Sequence, residues 1–127
     1  MSDKTILYVE DNEFNLKIVR QLLSRTSYRL IEAVDGEQGV ATALRELPDL
    51  ILMDIQLPKL SGLDATRMLR GDPKTAQVPI IVVTSFALSG DDKKAQDAGA
   101  SAYLAKPYSP RELLAMIRKL APESEAP

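Results

Sequence analysis

Neither cysteine nor histidine occurs anywhere in this chain. The first absence excludes a disulfide frame, a zinc–thiolate site and a dithiol redox pair. The second excludes Ser–His and Cys–His nucleophiles and zinc sites built on imidazole; it also means that the chain carries no phosphohistidine of its own. Excess positive charge is missing too. Lys and Arg number 16 against 18 Asp and Glu, a net charge of −2, and no stretch is strongly basic, which argues against nucleic acid as a direct ligand. No apolar run approaches the roughly 20 residues that a membrane-spanning helix requires. Charged and polar residues interrupt the N-terminus before any long apolar segment, so no signal peptide is read there, and the expected location is the cytoplasm, away from membranes. Neither a Walker A pattern nor a G-x-G-x-x-G run occurs, so the chain offers no evident grip on a nucleotide.

What is present is an ordinary globular composition in 127 residues, a length that suits one domain with one core. Short apolar runs alternate with amphipathic stretches. Strands are expected at Thr5–Val9, Tyr28–Ala33, Leu50–Met53, Ile80–Val83 and Ala102–Ala105. A helical pattern runs from Glu13 to about Arg25, with Ile18, Val19, Leu22 and Leu23 in one stripe. Asp35-Gly36-Glu37-Gln38 reads as a capping box opening a second helix, with Val40, Ala43, Leu44 and Leu47 facing inward and Pro48 ending it. Gly62 to about Leu69 and Asp91–Ala98 are the third and fourth, the latter closed by Gly99. Ser109-Pro110-Arg111-Glu112 opens the fifth, whose buried stripe is Leu113, Leu114, Ile117 and Leu120. The second strand alternates, Tyr28, Leu30 and Val34 against Arg29 and Glu32, which suits an edge position. Residues 1–120 thus form one domain, and 121–127 a short acidic, Pro-containing tail expected to be disordered. Strand–helix repetition with short loops implies an α/β fold with a parallel sheet and helices on both faces. Ligands of such sheets gather at the carboxyl ends of the strands, where strand order reverses.

Four polar features fall at those ends. Asp54 follows Leu50-Ile51-Leu52-Met53, Glu10-Asp11 follows the first strand, Thr84 closes the fourth, and Lys106-Pro107 follows the fifth. Each alone has an ordinary explanation: a capped loop, β propensity, a solvated lysine. Together they read as one site. Glu10, Asp11 and Asp54 make an oxygen-rich pocket, and oxygen donors without His or Cys select a hard cation such as Mg²⁺. Three carboxylates, a cation, the Thr84 hydroxyl and the Lys106 ammonium suit a phosphoryl group, with Asp54 as the nucleophile. With no nucleotide grip, the donor is expected to be another protein or a small acyl phosphate.

The sequence resembles the receiver domains of two-component response regulators from Thr5 to Leu120. The residues that carry the resemblance are Ile6-Leu7-Tyr8-Val9-Glu10-Asp11-Asn12, Asp49 through Pro58 with Ser61-Gly62, Pro79 through Ser85, and Ala100 through Pro107. Asp54–Gly62 and Thr84–Asp91 look, more narrowly, like the single-domain regulators of the cell-polarity and cell-division type. The resemblance implies a five-stranded parallel sheet in the flavodoxin-like order 2-1-3-4-5 with five helices. It implies that Asp54 accepts the phosphoryl group. Mg²⁺ is then held by Asp11, Asp54, Glu10 (directly or through water) and the Gln56 backbone carbonyl. Thr84 and Lys106 touch the phosphoryl group, and Tyr103 sits at the aromatic switch position. Gln56 and Phe86 flank the approach of water, and Phe86 is expected to slow hydrolysis of the acyl phosphate.

The expected upstream partner is a histidine kinase or histidine phosphotransfer protein, docking near the first helix, where Phe14 and Leu16 offer apolar contact. The helix Asp91–Ala98 has only alanine anchors, so it is expected to be weakly held and to move with the surface of the fourth helix, fifth strand and fifth helix. No output domain is expected after Leu120, so output runs through a downstream target protein or through passing the phosphoryl group on in a phosphorelay. The chain reads as a signalling switch that slowly hydrolyses its own phosphoryl group, not as a turnover enzyme. An aspartate-nucleophile phosphatase would need a second acid where Gln56 stands. A flavin binder would need a hydroxyl-rich phosphate loop where Glu10-Asp11 stands. A degenerate receiver would lack part of the acceptor set.

Overall fold

The computed structural model describes residues 3–84, 91–106 and 108–123. Five strands, β1 (Thr5–Val9), β2 (Arg29–Ala33), β3 (Leu50–Asp54), β4 (Ile80–Thr84) and β5 (Ala102–Ala105), alternate with five helices. The helices are α1 (Glu13–Leu23), α2 (Gly36–Glu46), α3 (Gly62–Arg70), α4 (Asp91–Ala98) and α5 (Pro110–Leu120). All pairings are parallel and the strand order is β2-β1-β3-β4-β5. The order reverses beside β1, so the carboxyl ends of β1 and β3 border the crevice where this class of sheet takes its ligands.

The apolar runs follow from double coverage. Every residue of β3 and β4 is buried, as a strand with helices over both faces requires. Side-chain alternation splits the core. Ile6, Tyr8, Leu50, Leu52, Ile81 and Val83 pack under α1 and α5, against Leu16, Val19, Leu23, Leu113 and Ile117. Leu7, Val9, Ile51, Met53, Ile80 and Val82 pack under α2, α3 and α4. From α4, only Ala95 and Ala98 are buried among the described side chains.

Register fixes the site. Val9 pairs with Met53, so Glu10 and Asp54 emerge side by side. Thr84 pairs with Ala105, which puts Lys106 one step beyond, its amide donating to the Thr84 carbonyl at 2.7 Å. Helix starts are capped as their residues dictate: Asn12, Asp35, Ser61 and Ser109 each accept a backbone N–H, and Ser109 and Glu112 complete a reciprocal capping box. At the far end of α3, the Arg70 guanidinium donates to the carbonyls of Val78 (2.6 Å) and Gly99 (2.7 Å) and to Ser101 Oγ (3.2 Å). Gly99, at φ 104, leaves the space the Arg70 stem fills.

Three expectations require correction. Leu16, expected as an exposed contact beside Phe14, is buried in the core, whereas Phe14 is 70% exposed; the α1 stripe is Leu16, Val19 and Leu23, with Ile18 and Leu22 half-buried. Leu47 is 54% exposed because it is the left-handed cap of α2, at φ 48, which swings its side chain off the helix stripe. Val34 is 47% exposed because β2 ends at Ala33 and the chain turns there. After α5, Ala121 and Glu123 are hydrogen-bonded to the rest of the chain. The Ala121 carbonyl accepts from Tyr28 Oη at 2.6 Å, and Glu123 accepts from Ser27 and Arg118. Residues 124–127 lie outside the described residues, as does Phe86. Among the described residues, no helix is long and apolar enough to cross a membrane.

Candidate functional site

The adjacent carboxylates after β1 have opposite fates. Glu10, the first residue past β1, is 1% exposed, while Asp11, one step on, faces solvent. Asp54, the last residue of β3, is 4% exposed. One oxygen from each of Glu10, Asp11 and Asp54 lies within 4.8 Å of the others. Buried carboxylates held this close need donors or positive charge.

Glu10 is richly supplied. Its Oε1 accepts from Tyr8 Oη (3.0 Å), Lys106 Nζ (3.0 Å) and Asn15 Nδ2 (3.3 Å), and its Oε2 accepts from the Asn12 amide (3.2 Å). Asp54 has less: the Gln56 amide donates to Oδ1 at 3.2 Å, and Lys106 Nζ stands 3.9 Å from Oδ2. The asymmetry sets their acidities. Burial, then the neighbouring Glu10 charge and hydrogen bond, push Asp54 up to about 7. Burial also favours neutral Glu10, but hydrogen bonds with Asp54, Lys106 and the Asn12 amide outweigh it and hold Glu10 below the ordinary carboxylate value. Burial, reinforced by Glu10, keeps the Tyr8 phenol protonated.

The donor chemistry fits a hard divalent cation. All three groups are carboxylates, and the cluster is short of positive charge, since its ammonium sits nearer Glu10 than Asp54. Ligand oxygens across a Mg²⁺ octahedron are separated by up to about 4.2 Å. A spread of 4.8 Å therefore calls for a small side-chain shift or one water-bridged ligand.

The structure brings Glu10, Asp11, Asp54 and Lys106 together, with Gln56 against Asp54 through its backbone. Thr84 is buried at the end of β4, beside Lys106 in the sheet. Tyr103 stands on the opposite side of the sheet from Tyr8, packed against the α2–α3–α4 core, beside a cleft of about 270 Å³ that Asp92, Ala95 and Gln96 also line. Sequence reasoning missed Tyr8 and Asn15. Tyr8 was detectable, since strand alternation places it on the same face as Glu10 two residues later. Asn15 had no such signal.

The chain matches the family model "Response regulator receiver domain" over residues 6–118. It is 40% identical over 115 residues to the polar-differentiation response regulator DivK of Brucella anthropi, covering 91% of this chain and 94% of that protein. Among solved structures it resembles the receiver domain of a sensor histidine kinase from Pseudomonas aeruginosa with magnesium coordinated in its active-site cleft, at 40% identity and TM-score 0.86, covering 93% of this chain and 97% of the other. It also resembles the beryllofluoride-activated receiver domain of RstA from Klebsiella pneumoniae, at 31% identity and TM-score 0.85, covering 92% and 97%.

Proposed function

The chain belongs to the response regulator receiver domain family, and from that premise we propose that Asp54 is its phosphoacceptor in a Mg²⁺-dependent protein switch. The observation that carries this reading is the meeting of three carboxylates within 4.8 Å, with the Lys106 ammonium 3.9 Å from Asp54. Glu10, Asp11, Asp54 and the Gln56 carbonyl would hold the cation. Bound there, Mg²⁺ would supply the charge that keeps Asp54 ionised and would neutralise phosphoryl oxygens.

An Asp54 carboxylate oxygen attacks phosphorus. The donor's P–N or P–O bond breaks, and its nitrogen or oxygen leaves with the electron pair. The donor is a phosphohistidine on a kinase or phosphotransfer protein, or a small acyl phosphate. The Thr84 hydroxyl and the Lys106 ammonium meet the phosphoryl oxygens. Movement of Thr84 toward that group frees space for Tyr103 to turn inward, and the α4–β5–α5 surface shifts population between two packings. That surface then engages a downstream target. Handing the phosphoryl group to a second histidine uses the same chemistry in reverse, and slow hydrolysis resets the switch. A phosphatase mechanism has no second acid here, because Gln56 occupies its place.

Incubation with Mg²⁺ and acetyl phosphate, followed by intact mass, tests the reading. Wild type gains one phosphoryl group and Asp54→Asn gains none. Equal gain in both, or none in either, overturns it.

A further inference from the structure

Lys106 occupies a resting place that conflicts with its proposed work. Its ammonium is 3.0 Å from Glu10 Oε1 but 3.9 Å from Asp54 Oδ2. A shift toward a phosphoryl group on Asp54 would draw it off Glu10, whose carboxylate is almost wholly buried. Stranding a buried charge is costly unless other donors remain.

The other donors are in place. Without Lys106, Glu10 Oε1 still accepts from Tyr8 Oη at 3.0 Å and Asn15 Nδ2 at 3.3 Å, and Oε2 from the Asn12 amide at 3.2 Å. Tyr8 is the firmest of the side-chain donors. Its ring is fully buried in the core under α1 and α5, which holds its hydroxyl at Glu10, with the Tyr108 hydroxyl as its other neighbour. We propose that Tyr8, seconded by Asn15, is a positioning residue that holds Glu10 satisfied while Lys106 transfers from Glu10 to the phosphoryl group. This rests on the reading of Asp54 as phosphoacceptor. Tyr8 touches neither donor nor phosphoryl group; it acts through Glu10 on the freedom of Lys106.

The test is binding of beryllofluoride, a phosphoryl mimic, at saturating Mg²⁺, set beside binding of Mg²⁺ alone, both by calorimetry. Tyr8→Phe removes one oxygen and leaves the core filled. Departing Lys106 then leaves Oε1 with only the longer Asn15 bond, so beryllofluoride affinity falls about tenfold, the effect of one lost hydrogen bond to a buried charge. Mg²⁺ affinity does not fall, because Glu10 keeps its charge and Oε2 is untouched. Asn15→Ala moves beryllofluoride binding the same way by less. In a Lys106→Met background, Tyr8→Phe has no further effect, since the ammonium it releases is gone. Loss of both affinities together in Tyr8→Phe, no change in either, or a full tenfold loss persisting without Lys106 overturns the proposal. Failure of wild type itself to bind beryllofluoride in Mg²⁺ instead removes the Asp54 reading beneath it.

Discussion

The backbone of Gly62 lies directly against the carbonyl of Asp54: a Cβ at position 62 would overlap the Asp54 oxygen and carbonyl carbon. The Gly62 amide meanwhile donates to the Ile55 carbonyl at 2.8 Å. The loop after β3 therefore folds back so that the start of α3 rests on the proposed phosphoacceptor. No flexible side chain can yield here, because both sides of the contact are backbone. Gly62→Ala is expected to destabilise the fold by roughly 3 kcal/mol or more, in the range of severe overpacking. Urea denaturation measures it. A change under about 1 kcal/mol would show that the loop tolerates displacement.

Metal-free protein should lose stability as pH rises. The folded Asp54 carboxyl titrates at about 7 instead of 3.8, so the native state binds more protons than the unfolded state between those values. Stability therefore falls through that window, by an amount of the order of a few kcal/mol. Glu10 has the opposite sign, but its lowered value confines its effect to the acid side of the ordinary carboxylate range. Melting temperature is expected to drop from about pH 5 to about pH 8 in chelator, to flatten in Asp54→Asn, and to recover at the alkaline end with Mg²⁺. A flat metal-free profile in wild type would contradict the origin assigned to the shift.

Phe14 and Leu16 should separate cleanly. Leu16→Ala opens the core under α1 and is expected to cost about 2–4 kcal/mol by denaturant titration. Phe14→Ala, at an exposed position, should leave stability within about 0.5 kcal/mol while slowing phosphoryl acceptance from a protein donor. Acceptance from acetyl phosphate should not change. Equal slowing with both donors would place Phe14 outside the docking surface.

Among the described helices, α4 is expected to exchange its amide protons fastest. Its buried anchors are Ala95 and Ala98, and small side chains hold a helix down weakly. Hydrogen exchange read by mass spectrometry checks this. Protection equal to that of α5, which buries Leu113 and Ile117, would contradict it.

The strands were legible because doubly covered strands read as unbroken apolar runs, and Asp54 stood out as the charge that ends one. Strand order came with the resemblance and not with the periodicity, which reveals faces but not neighbours. Two of the differences share a cause. Leu47 and Val34 sit one residue past an element, where the backbone turns and the helical or strand period stops governing direction. In α1, Leu16 turns into the buried stripe with Val19 and Leu23, while Phe14, two residues earlier, faces out. The network on Glu10 was hidden for a different reason. Hydrogen bonds from Tyr8, Asn15 and Lys106 depend on distances that only the assembled sheet defines.

The bond between Lys106 and Glu10 spans 96 positions of the chain, and Asp54 comes from a strand paired between them. Nearly the whole polypeptide must therefore have been threaded into register before the acidic cluster and its ammonium coexist. Under the proposed function, half-made chains and amino-terminal fragments would hold Asp54 without the ammonium that stands beside it. Readiness for the proposed phosphoryl transfer would then report that the last strand has docked.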